Sequence, residues 1–231
     1  MLFDLRGRGR RRTVQVIYLS LAILMGGGLV LFGIGGATNG GLIDAIQGNG
    51  GGSSSANDTF EKRVEDLEKR VQTNPQDARA WAQLADVRFQ SATSGQNYDQ
   101  TTGNYTTKGK AELRRAAAAW QRHLALSGEK PNQRVATEMV TAYGATGLRN
   151  YPEAVKALEF VIDGTSKPTY QTYAQLAVLA HGAKQTRKEK LAADKAVELA
   201  PKAQRKTVRD QIKAAEQQLD SLAAAGQPTG Q

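Results

Sequence analysis

Apolar residues recur along most of this chain at intervals of three and four, which is the spacing of one face of an α-helix. Phe60, Val64, Leu67 and Val71 form the first such stripe, with charged residues between them. Asn74-Pro75-Gln76-Asp77 follows. Pro75 cannot continue the preceding helix, and Asp77 is placed to cap the next one, which carries Trp81, Leu84 and Ala85. Further faces are predicted for Ala116, Trp120 and Leu124 within Lys110 to Leu126, and for Ala136, Met139, Val140 and Tyr143. After a turn at Thr146 to Asn150, Pro152 opens a helix whose Ala154, Leu158 and Val161 share a side. Tyr173, Leu176, Ala177 and Ala180 make another face, and Ala193, Ala196, Val197 and Leu199 a last one before Pro201. Val208, Ile212, Ala215, Leu219 and Leu222 stripe a polar terminal helix. The pattern predicts an all-α domain over 59–222, with a tail at 223–231.

The N-terminal part is different. Thr13 to Ile43 carries no charged residue, and Val14 to Ile34 is rich in Val, Ile, Leu, Ala and Gly. As a helix, that core spans about 30 Å, one hydrocarbon thickness. Arg6, Arg8, Arg10, Arg11 and Arg12 crowd one flank, and the next basic residue beyond is Lys62. The expected organisation is a basic cytoplasmic segment at 1–12, a single transmembrane helix at 13–36 in contact with membrane lipid, and an extracytoplasmic remainder. A cleaved signal peptide is the rival reading, with Gly35 and Ala37 as processing residues. The length of the apolar run and the lack of an Ala-x-Ala site favour an uncleaved anchor. Ala22 with Gly26, and Gly33 with Ala37, have the small-xxx-small spacing by which membrane helices associate, which leaves a homo-oligomer open beside ordinary membrane-helix composition. The Gly/Ser-rich stretch at 37–58 reads as a flexible tether.

Trp81, Leu84 and Ala85 repeat the aromatic, Leu at +3, Ala at +4 spacing of Tyr173, Leu176 and Ala177, and Lys195 to Pro201 closes the later unit. Together with the Pro-x-Asp junction, this resembles the tetratricopeptide (TPR) repeat, a helix–turn–helix of 34 residues with an early aromatic, small residues at helix crossings and a terminal Pro. About three units are expected, flanked by a half-repeat from Phe60 and a capping helix. Trp81, Ala136 and Tyr173 lie 55 and 37 residues apart, so the repeat is degenerate. Glu189 and His123 stand where the family has small residues. The resemblance implies a groove for a protein or peptide, walled by exposed positions of the first helix of each unit. It nominates Arg79, Asp86 and Phe89, then Arg134, Thr137 and Thr141, then Gln171 and His181. Phe89 is either an apolar anchor or buried beneath the insertion that follows. That insertion, 91–109, is polar and carries Tyr98 and Tyr105, which suggests a loop exposed at the groove edge.

Composition narrows the chemistry. The net charge of +9 includes +4 from the first twelve residues, and no nucleic-acid motif accompanies the rest. The densest basic cluster, Lys184, Arg187, Lys188 and Lys190, fits a solvated turn. There is no cysteine, so thiol catalysis, disulfides and thiolate metal sites are excluded. His123 and His181 have no carboxylate at metal-ligand spacing on their own helices, so no metal or cofactor is expected. No phosphate loop, nucleophile elbow or HExxH is present, and an enzyme is not expected.

These features describe a membrane-anchored, extracytoplasmic TPR scaffold for protein–protein interaction. The opening half-repeat is similar to TPR factors of c-type cytochrome biogenesis, which would imply holding an apoprotein for a membrane assembly machine. A translocon-associated or envelope-assembly chaperone, and a structural self-associating membrane protein, use the same parts.

Overall fold

The structure, a computed structural model, describes residues 53–128 and 130–225. The expected N-terminal segment at 1–12, the membrane span at 13–36 and the tether up to residue 52 lie outside the described residues. Among the described residues, no helix is long and apolar enough to cross a membrane.

These residues build an all-α domain with a short β-hairpin inserted in its first helical pair. Helix α1 (Ser53–Thr73) begins inside the expected tether and ends where Pro75 blocks continuation. Helix α2 (Ala78–Ala92) starts at Asp77, whose Oδ1 accepts from the Ala80 N–H at 2.9 Å, so the capping expected from the sequence is formed. The Arg70 guanidinium lies 2.8 Å from Asp77 and ties the end of α1 to the start of α2. Helix α3 (Thr107–Ser127) is capped by Thr106, α4 (Gln133–Tyr143) by Asn132 and α6 (Tyr170–Gly182) by Thr169. Helix α5 (Tyr151–Asp163) carries Pro152 in its first turn, where a missing N–H costs nothing. Helices α7 (Thr186–Leu199) and α8 (Arg205–Ala225) complete the domain, and α8 takes in the first residues of the expected tail.

Neighbouring helices pack in pairs, α2 with α3, α4 with α5 and α6 with α7. The pairs join in sequence, since α4 touches both α2 and α3 and α5 touches α6; α1 covers α2 at one end, and α8 lies on α6 and α7 at the other. Alanines occupy the crossings. Ala80, Ala85, Ala116, Ala136, Ala142, Ala154, Ala177, Ala180 and Ala196 are all fully buried, and their short side chains let helix axes approach. Gly182 takes this further, because a Cβ there would sit 2.8 Å from the Tyr151 ring where α6 meets α5. Between these small residues, Leu113, Trp120, Met139, Val87, Val135 and Val155 fill the core.

Two details of the expected packing change. Trp81 is only half-buried, and its indole N–H donates to the Pro75 carbonyl at 2.9 Å, folding the ring back over its own turn. The sealed aromatic is Trp120 on α3, 1% exposed. On α7 the buried residues are Ala192 and Ala196, followed by Ala200 at its C-cap, whereas Leu199 is exposed.

The segment expected as an exposed loop at 91–109 is ordered instead. Helix α2 runs on to Ala92, and a 3₁₀ turn, Gly95–Asn97, leads into strands β1 (Tyr98–Asp99) and β2 (Asn104–Tyr105). The strands pair antiparallel, Tyr98 opposite Tyr105, with ring centroids 5.0 Å apart in an edge-on contact. Asp99 closes the tip by accepting from the Thr101 N–H and the Thr102 hydroxyl, each at 2.8 Å. The Asn97 carbonyl accepts from the Thr106 N–H at 2.9 Å and passes over the first turn of α3. Gly109 permits that approach, since a Cβ there would stand 2.1 Å from the Asn97 oxygen.

Candidate docking face

The residues nominated for a partner contact fall into three groups. Arg79 and Thr137 are exposed on α2 and α4, while Phe89, Thr141 and Gln171 are half-buried. All five stand on the first helices α2, α4 and α6. Asp86 departs from the expected open position: it is 5% exposed, because α4 lies against α2 at its level. Arg134 of α4 reaches across and pairs with it, so two nominated residues meet each other. Tyr105 departs as well, at 6% exposure, because its ring is covered by the hairpin and by Tyr98. Burial pushes its hydroxyl pKa up to about 12, with the nearby Tyr98 adding to the effect. Tyr98, half-buried, is the tyrosine of the pair that the hairpin leaves partly open.

The Asp86–Arg134 pair belongs to a larger cluster, and its other members carried no signal in the apolar pattern. Gln90, one turn beyond Asp86, donates to the Asp86 carboxylate at 2.6 Å. Glu138, one turn beyond Arg134, lies 3.3 Å from the same guanidinium. The Arg134 side chain is 60% exposed, whereas the Asp86 and Glu138 side chains are 8% and 15% exposed. One surface cation thus covers two sunken carboxylates. Gln90 Oε1 and Glu138 Oε2 are buried without a hydrogen-bond donor. The i,i+4 relation of Arg134 to Glu138 is legible in the sequence, but the partnership with Asp86 depends on how α4 sits on α2.

Burial, and then the negative charge of Asp86, raise the Glu138 carboxyl to about 8, against the opposing pull of Arg134. The ordinary value is 4.5, so between these limits the folded chain holds a proton that the unfolded chain releases. Folding stability therefore falls as pH rises through this window. Glu138→Gln removes the titrating group, and at pH 8.5 the variant is expected to be more stable than the parent by about 1–3 kcal/mol. At pH 5 the two should be nearly equal. Urea unfolding at both pH values checks this, and an identical pH dependence in the two proteins would sink the assignment.

His181 lies in the last turn of α6, away from this cluster. Its Nδ1 is 3.4 Å from Glu189 Oε1 on α7, and its Nε2 is 3.0 Å from Asp220 Oδ1 on α8. Its own helix carries no acid, as the sequence spacing implies; the carboxylates arrive from two other helices. Burial alone would lower the imidazole pKa, but hydrogen bonds and charge from Asp220 and Glu189 outweigh it and the value is raised. His123, by contrast, is buried on α3 and bonded on both sides. Its Nδ1 lies 2.8 Å from the Ala78 carbonyl, and its Nε2 accepts from the Asn132 N–H at 2.9 Å. It stitches α3 to the start of α2 and to the turn before α4.

No known protein family, curated protein or solved structure matches this chain at a significant level. Its functional reading rests on its own residues.

Proposed function

We propose that this chain is a membrane-anchored, extracytoplasmic scaffold whose TPR-like hairpins hold a protein or peptide partner against the first helices α2, α4 and α6. The observation that carries the repeat reading is a recurring turn. Arg149 and Lys184 both adopt left-handed backbone, with φ of 54° and 58°, each two residues ahead of a second helix, and they lie 35 residues apart. The turns differ in length, and the Leu148 N–H bonds back six residues to Ala142 at 2.8 Å where the Gln185 N–H bonds back five to Ala180 at 2.9 Å, but each folds back onto the last turn of a first helix. A spacing of 35 is one residue from the TPR period. The charge-free run at 13–36 with its arginine flank supports the anchor and the topology. Within this reading, the local similarity to cytochrome-maturation TPR factors makes an apocytochrome the first partner to test.

Photo-crosslinkers placed one at a time at Arg79 and Thr137 test the docking face, with Arg114, exposed on the second helix α3, as the contrast. In native membranes, the two first-helix positions are expected to trap the same partner and Arg114 to trap none. Equal trapping from both helices, or none from Arg79 and Thr137, would defeat the proposal. Protease treatment from the outer side should remove the helical domain and leave the arginine-rich terminus protected.

A further inference from the structure

One imidazole and three carboxylates converge where the α6–α7 turn meets the C-terminal half of α8. His181 comes from the last turn of α6, Glu189 from the first turn of α7, and Glu216 and Asp220 from successive turns of α8. One ligand atom from each of His181, Glu189 and Glu216 lies within 4.8 Å of the other two. We propose that His181, Glu189 and Glu216 together bind one divalent first-row transition-metal ion, with Asp220 as the residue that orients the imidazole.

The geometry assigns the roles. Asp220 accepts a hydrogen bond from His181 Nε2 at 3.0 Å, which selects the tautomer carrying its proton there. A metal ion would take the place of the Nδ1 proton, on the side of the ring that faces Glu189. A carboxylate on the remote ring nitrogen is the usual outer partner of a metal-bound histidine, fixing its rotation and raising its basicity. Two ligands of one ion at about 2.1 Å each stand no more than about 4.2 Å apart, so the present spacing closes with small side-chain movements.

Charge points the same way. Three carboxylates lie around the imidazole, and one cation, Lys184, stands at their edge with its Nζ 4.0 Å from Asp220. Of the neighbouring basic residues, Lys188 is engaged by Glu159 at 2.5 Å, while Arg187 and Lys190 are exposed. The three acids favour a cation in their midst. An imidazole nitrogen beside carboxylate oxygens suits Zn²⁺ better than the oxygen-seeking Mg²⁺. Because the ligands come from three helices, a bound ion would fasten α8 to the last hairpin.

The full-length chain, stripped with chelator, is titrated with Zn²⁺ by calorimetry and melted with and without the ion. The expected result is saturable uptake of about one ion per chain and a melting temperature raised by several degrees at saturation. His181→Gln and Glu216→Gln should each weaken uptake at least tenfold, and Asp220→Asn about tenfold. Glu189→Gln, a conservative change at a half-exposed position, guards against unfolding as the cause; its circular dichroism in chelator should match the parent while its affinity falls. The chain's other histidine, His123, already uses both ring nitrogens, so it offers no competing site. Absence of saturable uptake would overturn the proposal, as would uptake unchanged in the His181 and Glu216 variants. An equal response to Mg²⁺ would also overturn it, since it would mark an unselective acidic surface.

Discussion

Trp120→Ala is expected to lower stability by about 3–5 kcal/mol, the largest effect of any single substitution considered for this domain. The ring is 1% exposed and is the largest fully buried side chain. It stands on α3 with its centroid 5.3 Å from the His123 ring and 6.3 Å from Phe160 of α5, the latter nearly perpendicular at 79°. Truncation removes the apolar burial, leaves a hole bounded by two successive hairpins, and loosens the contact that aligns them. Ala116 and Ala119, buried on the same helix, have side chains too short to fill the hole. Urea unfolding followed by circular dichroism should give a lower midpoint with an unchanged slope. A loss below about 1.5 kcal/mol would mean that the ring does not join the first two pairs as its position implies.

Arg88→Ala is expected to follow, at about 2–4 kcal/mol. Arg88 is buried on α2, and its two terminal nitrogens separate to two acids, Glu68 of α1 and, at 2.6 Å, Glu112 of α3. Among the described residues, it is the one side chain whose ion pairs join α1, α2 and α3. Glu112 is 15% exposed and keeps Arg115 at 2.5 Å after the substitution, so its carboxylate is not wholly abandoned and the cost stays below the upper range for a buried pair. Glu68 is 43% exposed and turns to water. The double variant Arg88→Met with Glu112→Gln should recover more than half of the loss, because it removes the stranded charge and fills the space. Failure of the double variant to recover stability would show that shape, rather than charge, keeps arginine there.

Both predictions bear on what the sequence makes legible. Apolar spacing located the helices and several buried faces, among them Ala136, Met139, Val140 and Tyr143 on α4 and Val208 to Leu219 on α8, although Leu222 at the end of that stripe is exposed and only Val71 of the α1 stripe is buried. Junction chemistry was equally readable, since Asp77, Pro75 and Pro152 act through their immediate neighbours. What escaped was whatever required knowing which helix lies beside which. Asp86 looks like an open first-helix position until α4 covers it, and Glu138 looks like a surface acid until the same contact buries it. His181 stands alone in its own helix and meets its carboxylates only through the placement of α7 and α8. The polar composition of residues 91–109 suggested an open loop, but Tyr98 and Tyr105 pair across a turn that Asp99 closes. Neither the cross-strand register nor the passage of Asn97 over Gly109 follows from composition.

The chain's two tryptophans sit in different environments. Trp81 is half-open, its indole N–H fixed on Pro75 at the mouth of the first junction; Trp120 is sealed between two hairpins. Fluorescence from this protein is therefore a sum of two separable colours, a red-shifted one reporting the entrance turn and a blue-shifted one reporting the interior. With Trp81→Phe and Trp120→Phe as spectral references, a partner settling near the entrance could be watched independently of any loosening within.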